Sequence, residues 1–144
     1  MAIEFQVTFD SADPEAHSAF WAQALHYVEQ PPPKGFQTWD EALQAWNVPP
    51  ERRHDRAALI DPQGRGPRLF FQKVPEGKTA KNRVHLDLRS AAGVPPEGRV
   101  DALEAECTRL LALGATVVQR NGPDPIDGYC IWMRDPEGNE FCLD

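Results

Sequence analysis

A chain of 144 residues with 41% hydrophobic and 26% charged content has the size and composition of one ordinary globular domain. Its net charge of -7 opposes non-specific attraction to phosphate backbones and anionic lipid, so neither nucleic acid nor a membrane surface is an expected partner. No apolar run approaches the ~20 residues of a membrane span, and the start Met1-Ala2-Ile3-Glu4 lacks the basic-then-apolar order of a secretory signal, so a cytoplasmic protein is the expectation. The three cysteines, Cys107, Cys130 and Cys142, are widely spaced with no Cys-x-x-Cys pair, and read as free thiols.

Phe5-Gln6-Val7-Thr8-Phe9-Asp10 alternates apolar with polar residues, the period of a strand packed on one face. Asp13-Pro14-Glu15 then supplies an N-cap, a proline at the first helical position and an acid in the first turn. These predict a helix from Pro14 to about Tyr27, with Ala16, Phe20 and Ala24 on one side. Thr38-Trp39-Asp40-Glu41 has capping-box spacing and predicts a short extra helix, to which Trp39 and Trp46 contribute one aromatic face. That face either staples the helix to the body or forms a lid. Leu59-Ile60-Asp61-Pro62-Gln63-Gly64 runs into Pro67-Arg68-Leu69-Phe70-Phe71-Gln72 as a hairpin, with Asp-Pro opening the turn and Gly closing it.

The same order returns in the second half. Arg83-Val84-His85-Leu86-Asp87-Leu88 alternates, and a helix is predicted from about Arg99 to Leu113 with Val100, Leu103, Cys107, Leu110, Leu111 and Gly114 on one stripe. Ala115-Thr116-Val117-Val118-Gln119 is strand-like, and Trp132-Met133-Arg134-Asp135-Pro136-Glu137-Gly138 runs into Glu140-Phe141-Cys142-Leu143-Asp144 as a second Asp-Pro-x-Gly hairpin. The chain therefore reads as an internal repeat of strand, helix and three strands: module 1 about 1–76, module 2 about 82–144, within a single α+β domain 1–144.

Alternation also assigns faces. If Phe5, Val7 and Phe9 pack, Gln6, Thr8 and Asp10 point the other way; if Val84, Leu86 and Leu88 pack, so do Arg83, His85 and Asp87. The closing strands add Arg68, Phe70 and Gln72 in the first half and Glu140, Cys142 and Asp144 in the second. Polar groups on such a face either bond one another and water or are arranged for a ligand. Arg83 with Asp87 and Glu140 reads either as an internal ion pair or as part of a site. His85, flanked by Arg83 and Asp87, is the acid–base candidate, because a neighbouring carboxylate holds its tautomer and raises its basicity. His17, His26 and His54 read as solvated surface. Cys142 is either a nucleophile near His85 or a small apolar filler. The basic segment Lys78-Thr79-Ala80-Lys81-Asn82-Arg83 either favours an anionic ligand or is a solvated linker.

The duplicated βαβββ pattern resembles the vicinal oxygen chelate superfamily, which includes glyoxalase I, extradiol dioxygenases and bleomycin-resistance proteins. The resemblance is carried by Asp10-Ser11-Ala12-Asp13-Pro14-Glu15 with Phe20-Trp21, by Asp61–Gln72, by Lys81–Asp87 and by Asp135–Phe141, and is strongest to small glyoxalase-like domain proteins. It implies two tandem βαβββ modules forming a curved mixed sheet around a cup, helices outside, and a homodimer. In the superfamily's metal-dependent members, four ligands drawn from His, Glu and Gln come from the first and last strand of each module. Carried over, those positions are Gln6, Arg83, Phe70 and Cys142, of which Gln6 alone is a plausible ligand. The expectation is thus no metal ligands and no cofactor, with a divalent metal left open through a displaced set of His85, Glu140 and Asp87. Three functions follow from these residues. The first is a metal-free binder of a small organic molecule, contacted by Gln6, Thr8, Asp10, Phe70, Gln72, Trp132, Glu140 and Cys142. The second is a metal-free enzyme with His85 as base, Asp87 orienting it and Arg83 stabilising an oxyanion. The third is a metal-dependent lyase, isomerase or dioxygenase.

Overall fold

Two strand phases and two helix stripes leave little freedom in how the chain packs, and the computed structural model, which describes residues 1–144, realises both halves of the repeat. The chain divides into two compact units, Met1–Gly77 and Lys78–Asp144. In unit 1 the order is β1 (Val7–Ser11), α1 (Pro14–Leu25), β2 (Val28–Glu29), α2 (Trp39–Ala45), a 3₁₀ turn (Pro50–Arg52), β3 (Arg56–Ile60) and β4 (Leu69–Lys73). Unit 2 has β5 (Leu86–Leu88), α3 (Pro96–Ala112), β6 (Thr116–Asp124), β7 (Gly128–Arg134) and β8 (Glu140–Leu143). The fold is α+β, each unit a βαβββ module with its own four-stranded mixed sheet, ordered β1-β4-β3-β2 and β5-β8-β7-β6. In each sheet the first and last strands pair in parallel and the other pairs are antiparallel. No helix is long and apolar enough to cross a membrane.

The local signals act as their chemistry requires. The Asp13 side chain caps α1 by accepting from the Ala16 N–H at 3.1 Å. Thr38 and Glu41 form a complete capping box on α2. Both hairpin turns place glycine at positive φ, Gly64 at 66° and Gly138 at 89°, where a side chain would be strained. In the β7–β8 turn the buried Asp135 carboxylate accepts from the Glu137 and Asn139 N–H groups at 2.9 and 3.0 Å.

The core of unit 1 lies between α1 and the sheet. Phe9 and Phe71 sit opposite each other in the β1–β4 ladder and stack with centroids 5.0 Å apart and planes 7° apart, and Trp21 tilts against Phe9 at 5.3 Å. In unit 2, Leu103, Cys107 and Leu110 of α3 are buried, as are Leu88, Ile131, Met133, Phe141 and Leu143 of its sheet.

Several expectations fail here. Phe5 and Val84 do not pack: both precede their strands and are 72% and 80% exposed, because the alternation begins before the ladder does. The buried stripe of α1 is Pro14, His17, Ser18, Phe20, Trp21 and Ala24, leaving Ala16 outside. Val100 and Leu111 of α3 are likewise exposed, at the margin of their stripe. Trp39 anchors α2 through its indole N–H to the Gln30 carbonyl at 2.7 Å, whereas Trp46 follows the helix, exposed and edge-on to Phe36.

His17 is the largest departure from a solvated reading, being 1% exposed. The Trp21 indole N–H, which can only donate, lies 3.3 Å from His17 Nε2. The ring proton therefore sits on Nδ1 and is donated to Ser11 Oγ at 3.1 Å. With both nitrogens satisfied, the imidazole meets Phe9 and Phe71 edge-on as part of the core.

The β6–β7 hairpin is tied to α3 by Glu104, which accepts from Arg120 Nε and Nη2 at 2.7 and 3.0 Å and from the Tyr129 hydroxyl at 2.5 Å. Arg120, then Tyr129, hold its carboxyl down at about 2 from an ordinary 4.5. A depressed carboxyl stabilises the fold above its unfolded value, so this contribution is complete above pH 4.5 and is lost as the pH falls towards about 2. Urea midpoints measured across that window should fall more steeply for the natural protein than for Glu104→Gln; equal slopes would show that the network is not coupled to folding. Truncating the fully buried Leu103 to Ala should cost about 2–5 kcal/mol in the same assay.

Candidate functional site

Each helix covers one face of its sheet, since α1 packs on β3 and β4 and α3 on β6, β7 and β8. Within each unit, the residues that alternate away from the helix make a second, polar face.

In unit 1 that face holds five of the expected contact residues: Gln6, Thr8, Asp10, Phe70 and Gln72. The register sets Thr8 opposite Phe70 and Asp10 opposite Gln72. The groups bond one another. Arg68 donates from Nη1 to Gln6 Oε1 at 2.8 Å and from Nε to Gln30 Oε1 at 2.6 Å, while its guanidinium carbon lies 5.1 Å from the Phe70 centroid. Gln6 Nε2 donates to Thr8 Oγ1 at 3.2 Å, and Gln72 Nε2 to Asp10 Oδ1 at 2.8 Å. A cleft of about 270 Å³ in the same unit, lined by Asn47, Val48, Pro49, Arg52, Asp55 and Arg56, involves none of these residues.

Unit 2 carries different chemistry on the corresponding face. Asp87 on β5 lies opposite Cys142 on β8, and Cys142 lies opposite Trp132 on β7, so three strands align an acid, a thiol and an indole. His85, just ahead of β5, places Nε2 3.1 Å from Asp87 Oδ1, and its donor nitrogen, the Asp87 carboxylate and Cys142 Sγ all lie within 4.8 Å of one another. His85 and Asp87 are exposed and Cys142 is half-buried. Burial, then the charge of Asp87, pushes the Cys142 thiol up to about 11, which keeps the sulfur protonated and makes it a poor nucleophile.

Arg83 and Glu140 do not join this cluster as the sequence suggested. Glu140 is 6% exposed and faces Lys78 Nζ at 3.1 Å, with Arg134 Nε at 3.9 Å and the Asn82 N–H donating at 3.1 Å. Burial pushes its carboxyl up, but the Asn82 and Lys78 bonds outweigh burial and hold it below the ordinary carboxylate value. Arg83 is exposed and pairs with neither Asp87 nor Glu140, because Lys78 and Arg134 already neutralise that acid. The metal set of His85, Asp87 and Glu140 is therefore replaced by His85, Asp87 and Cys142.

The register also moves the repeat equivalence by two residues. Taking Phe70 and Cys142 as counterparts, their partners Thr8 and Asp87 correspond, and Gln6 then corresponds to His85, not to Arg83. Two contributors escaped the sequence reading. Lys78 anchors the start of unit 2 on Glu140, and Lys81 places its ammonium 5.3 Å from the Trp132 centroid. The basic run was visible in the sequence, but nothing local showed that it docks on β7 and β8.

The donor set suits a borderline or soft divalent ion. His85 offers a nitrogen, Asp87 an oxygen and Cys142 a sulfur, with a solvent-facing side left for further ligands. These residues would hold the ion, and an ion so held would supply Lewis-acid polarisation of a ligand oxygen.

Comparison with known proteins places this geometry. A search of curated protein sequences finds no match. Among solved structures, the chain is similar to a glyoxalase/bleomycin resistance protein/dioxygenase family enzyme from Burkholderia phytofirmans PsJN, with 17% identity over 96% of this chain and 94% of that one and a TM-score of 0.59. A possible glyoxalase from Bacillus cereus gives 15%, 99%, 97% and 0.60 in the same terms. A variant of the fosfomycin resistance protein FosX from Listeria monocytogenes, complexed with Mn(II) and a dihydroxypropylphosphonic acid, gives 12%, 99%, 89% and 0.63. At these identities the likeness is one of fold. Residues 6–143 match the family model described as a glyoxalase-like domain, and the chain belongs to that family.

Proposed function

We propose that this glyoxalase-like protein binds a small organic molecule against the uncovered face of the unit 2 sheet. One observation carries the reading: the His85–Asp87 pair, 3.1 Å apart, shares a strand face with Cys142 and the half-buried Trp132, so hydrogen-bonding and apolar surface lie side by side. Sites for small ligands pair an apolar wall with a few placed polar groups in this way. In this reading Trp132 stacks on the ligand, His85 bonds its polar group, Asp87 fixes the imidazole, and the exposed Arg83 attracts an anionic substituent. If the bound molecule reacts without a metal, His85 is the base. Gln6, Thr8, Asp10, Phe70 and Gln72 have a lesser part here, because their polar groups are already engaged with one another or with Arg68.

A metal-assisted reaction is the second reading, favoured by the three donor atoms that lie within 4.8 Å of one another. It gives His85 to the ion and leaves the base to another group or to solvent.

A thermal-shift screen of small carboxylates, phosphonates and aromatic acids should yield a stabilising ligand whose affinity falls about tenfold in Trp132→Ala. Unchanged affinity in both Trp132→Ala and His85→Gln would sink the binding reading. Should a hit be turned over, His85→Gln should lower kcat by ~10²–10⁴-fold if His85 is the base, and leave affinity largely intact.

Binding in this reading is non-covalent at Cys142. With its pKa near 11, iodoacetamide should alkylate Cys142 at neutral pH at least ~10²-fold more slowly than a free cysteine, as followed by peptide mass spectrometry, and Asp87→Asn should speed the reaction. Alkylation at the rate of a free thiol would show the sulfur to be activated instead.

A further inference from the structure

We infer that Lys81 sets the ligand class of the unit 2 face. It admits a flat aromatic or conjugated anion, because the ligand's ring must lift the Lys81 ammonium off Trp132 and an anionic group beside that ring gives the ammonium a new partner. The inference rests on the small-molecule reading proposed above and names the chemical class that this reading leaves open.

A strap pinned at two points holds the lysine in place. Lys78 Nζ lies 3.1 Å from the Glu140 carboxylate, and the Asn82 N–H donates to the same carboxylate at 3.1 Å. Thr79, Ala80 and Lys81 are exposed and span these two anchors on one buried acid, and Lys78 also donates to the Ala80 carbonyl. From this short span the Lys81 ammonium reaches over Trp132, 5.3 Å from its centroid. Its charge also acts on Cys142, the residue opposite Trp132 in the β7–β8 ladder. Lys78 is held by Glu140, whereas no carboxylate pairs with Lys81. Arg83 lies beyond the second pin and is exposed, so it adds long-range attraction for an anion without a fixed place over the ring.

The position of the ammonium makes it a competitor of the ligand. Offset-stacked rings sit with centroids about 4.5–7 Å apart, and the 5.3 Å site that Lys81 fills lies inside that range. A ring and the ammonium therefore exclude each other from this face of the indole. A neutral ring that stacks on Trp132 costs the protein its cation–π contact and returns the ammonium to water. A cationic ring adds repulsion. An anionic ring meets the displaced ammonium at its edge, because the pinned strap keeps the Lys81 backbone in place while the flexible aliphatic stem lets the head swing aside. One lysine thus acts against neutral and cationic ligands and in favour of anions at the same ring.

Two probes that share one ring test this: naphthoate and its neutral amide, each titrated calorimetrically into the full chain. Naphthoate should bind about fivefold more tightly than the amide, through the ion pair gained at an exposed site. In Lys81→Ala the two affinities should converge, with naphthoate losing and the amide gaining about two- to fivefold as the indole face is uncovered. The gain for the amide is the signature of displacement, since loss of a charge that only attracted anions would leave a neutral probe unchanged. Lys34→Ala makes the same charge change at an exposed lysine of unit 1 and should preserve both affinities. A preference that survives in Lys81→Ala, an amide that fails to gain, or a natural protein that binds neither probe would overturn the inference and leave small-molecule binding to its own screen. Naphthoate binding indifferent to both Trp132→Ala and His85→Gln would overturn the small-molecule reading of this face, and the inference with it.

Discussion

A four-stranded sheet with one helix on it has one covered face, and the period of two along a strand obliges every second side chain to face away from that helix. Val7, Phe9 and Ser11 on β1 and Leu86 and Leu88 on β5 take the covered side, so Thr8, Asp10 and Asp87 have no choice of direction. A slip of one residue in either parallel ladder would turn Phe71 or Phe141 outward and place an amide or a thiol against the helix. The stacked Phe9–Phe71 pair and the buried Phe141 and Leu143 thus fix the register of the faces that carry the chemistry.

The two modules carry different side chains on the same strand order. On the unit 1 face the side chains are long and amide-rich, and Arg68 bridges Gln6 and Gln30 into a network that satisfies itself. On the unit 2 face the corresponding positions hold His85 for Gln6, Asp87 for Thr8 and Cys142 for Phe70. Short side chains with ionisable or soft atoms cannot reach across strands to bond a distant partner. They remain clustered at their own strand positions, with His85 on Asp87 and Asp87 facing Cys142. The asymmetry of the two faces follows from side-chain reach and donor type, since the strand order of the two sheets is the same.

What was legible in the sequence is what local chemistry decides. The Asp13 cap, the Thr38–Glu41 capping box, the two Asp-Pro-x-Gly turns and the alternation that set His85 with Asp87 on one side of their segment are all contained in short windows. Illegible were the features that depend on distant partners. Phe5 and Val84 continue the alternation past the point where a neighbouring strand exists to pair with, and periodicity carries no information on where the ladder stops. His17 reads as polar surface until Trp21, one helical turn on, and Ser11, on a strand, satisfy both of its nitrogens inside an aromatic core. Glu140 shares a strand face with Cys142 in the alternation, which suggested Arg83 as its partner; the actual partners, Lys78 and Arg134, come from the segment ahead of β5 and from the facing strand. The two-residue error in matching Gln6 to Arg83 had the same origin, since the pairing of β5 with β8 is a long-range fact.

The position of Asp87 sets the chemistry of the site more than its acidity does. Beside a thiol whose pKa burial and this carboxylate raise to about 11, it works against nucleophilic use of Cys142, because any thiolate would form next to a negative charge. Beside His85, the same carboxylate holds the imidazole at 3.1 Å and fixes its orientation. The carboxylate that orients His85 is thus the one that keeps the Cys142 sulfur protonated, and both effects follow from distances that the β5–β8 ladder sets.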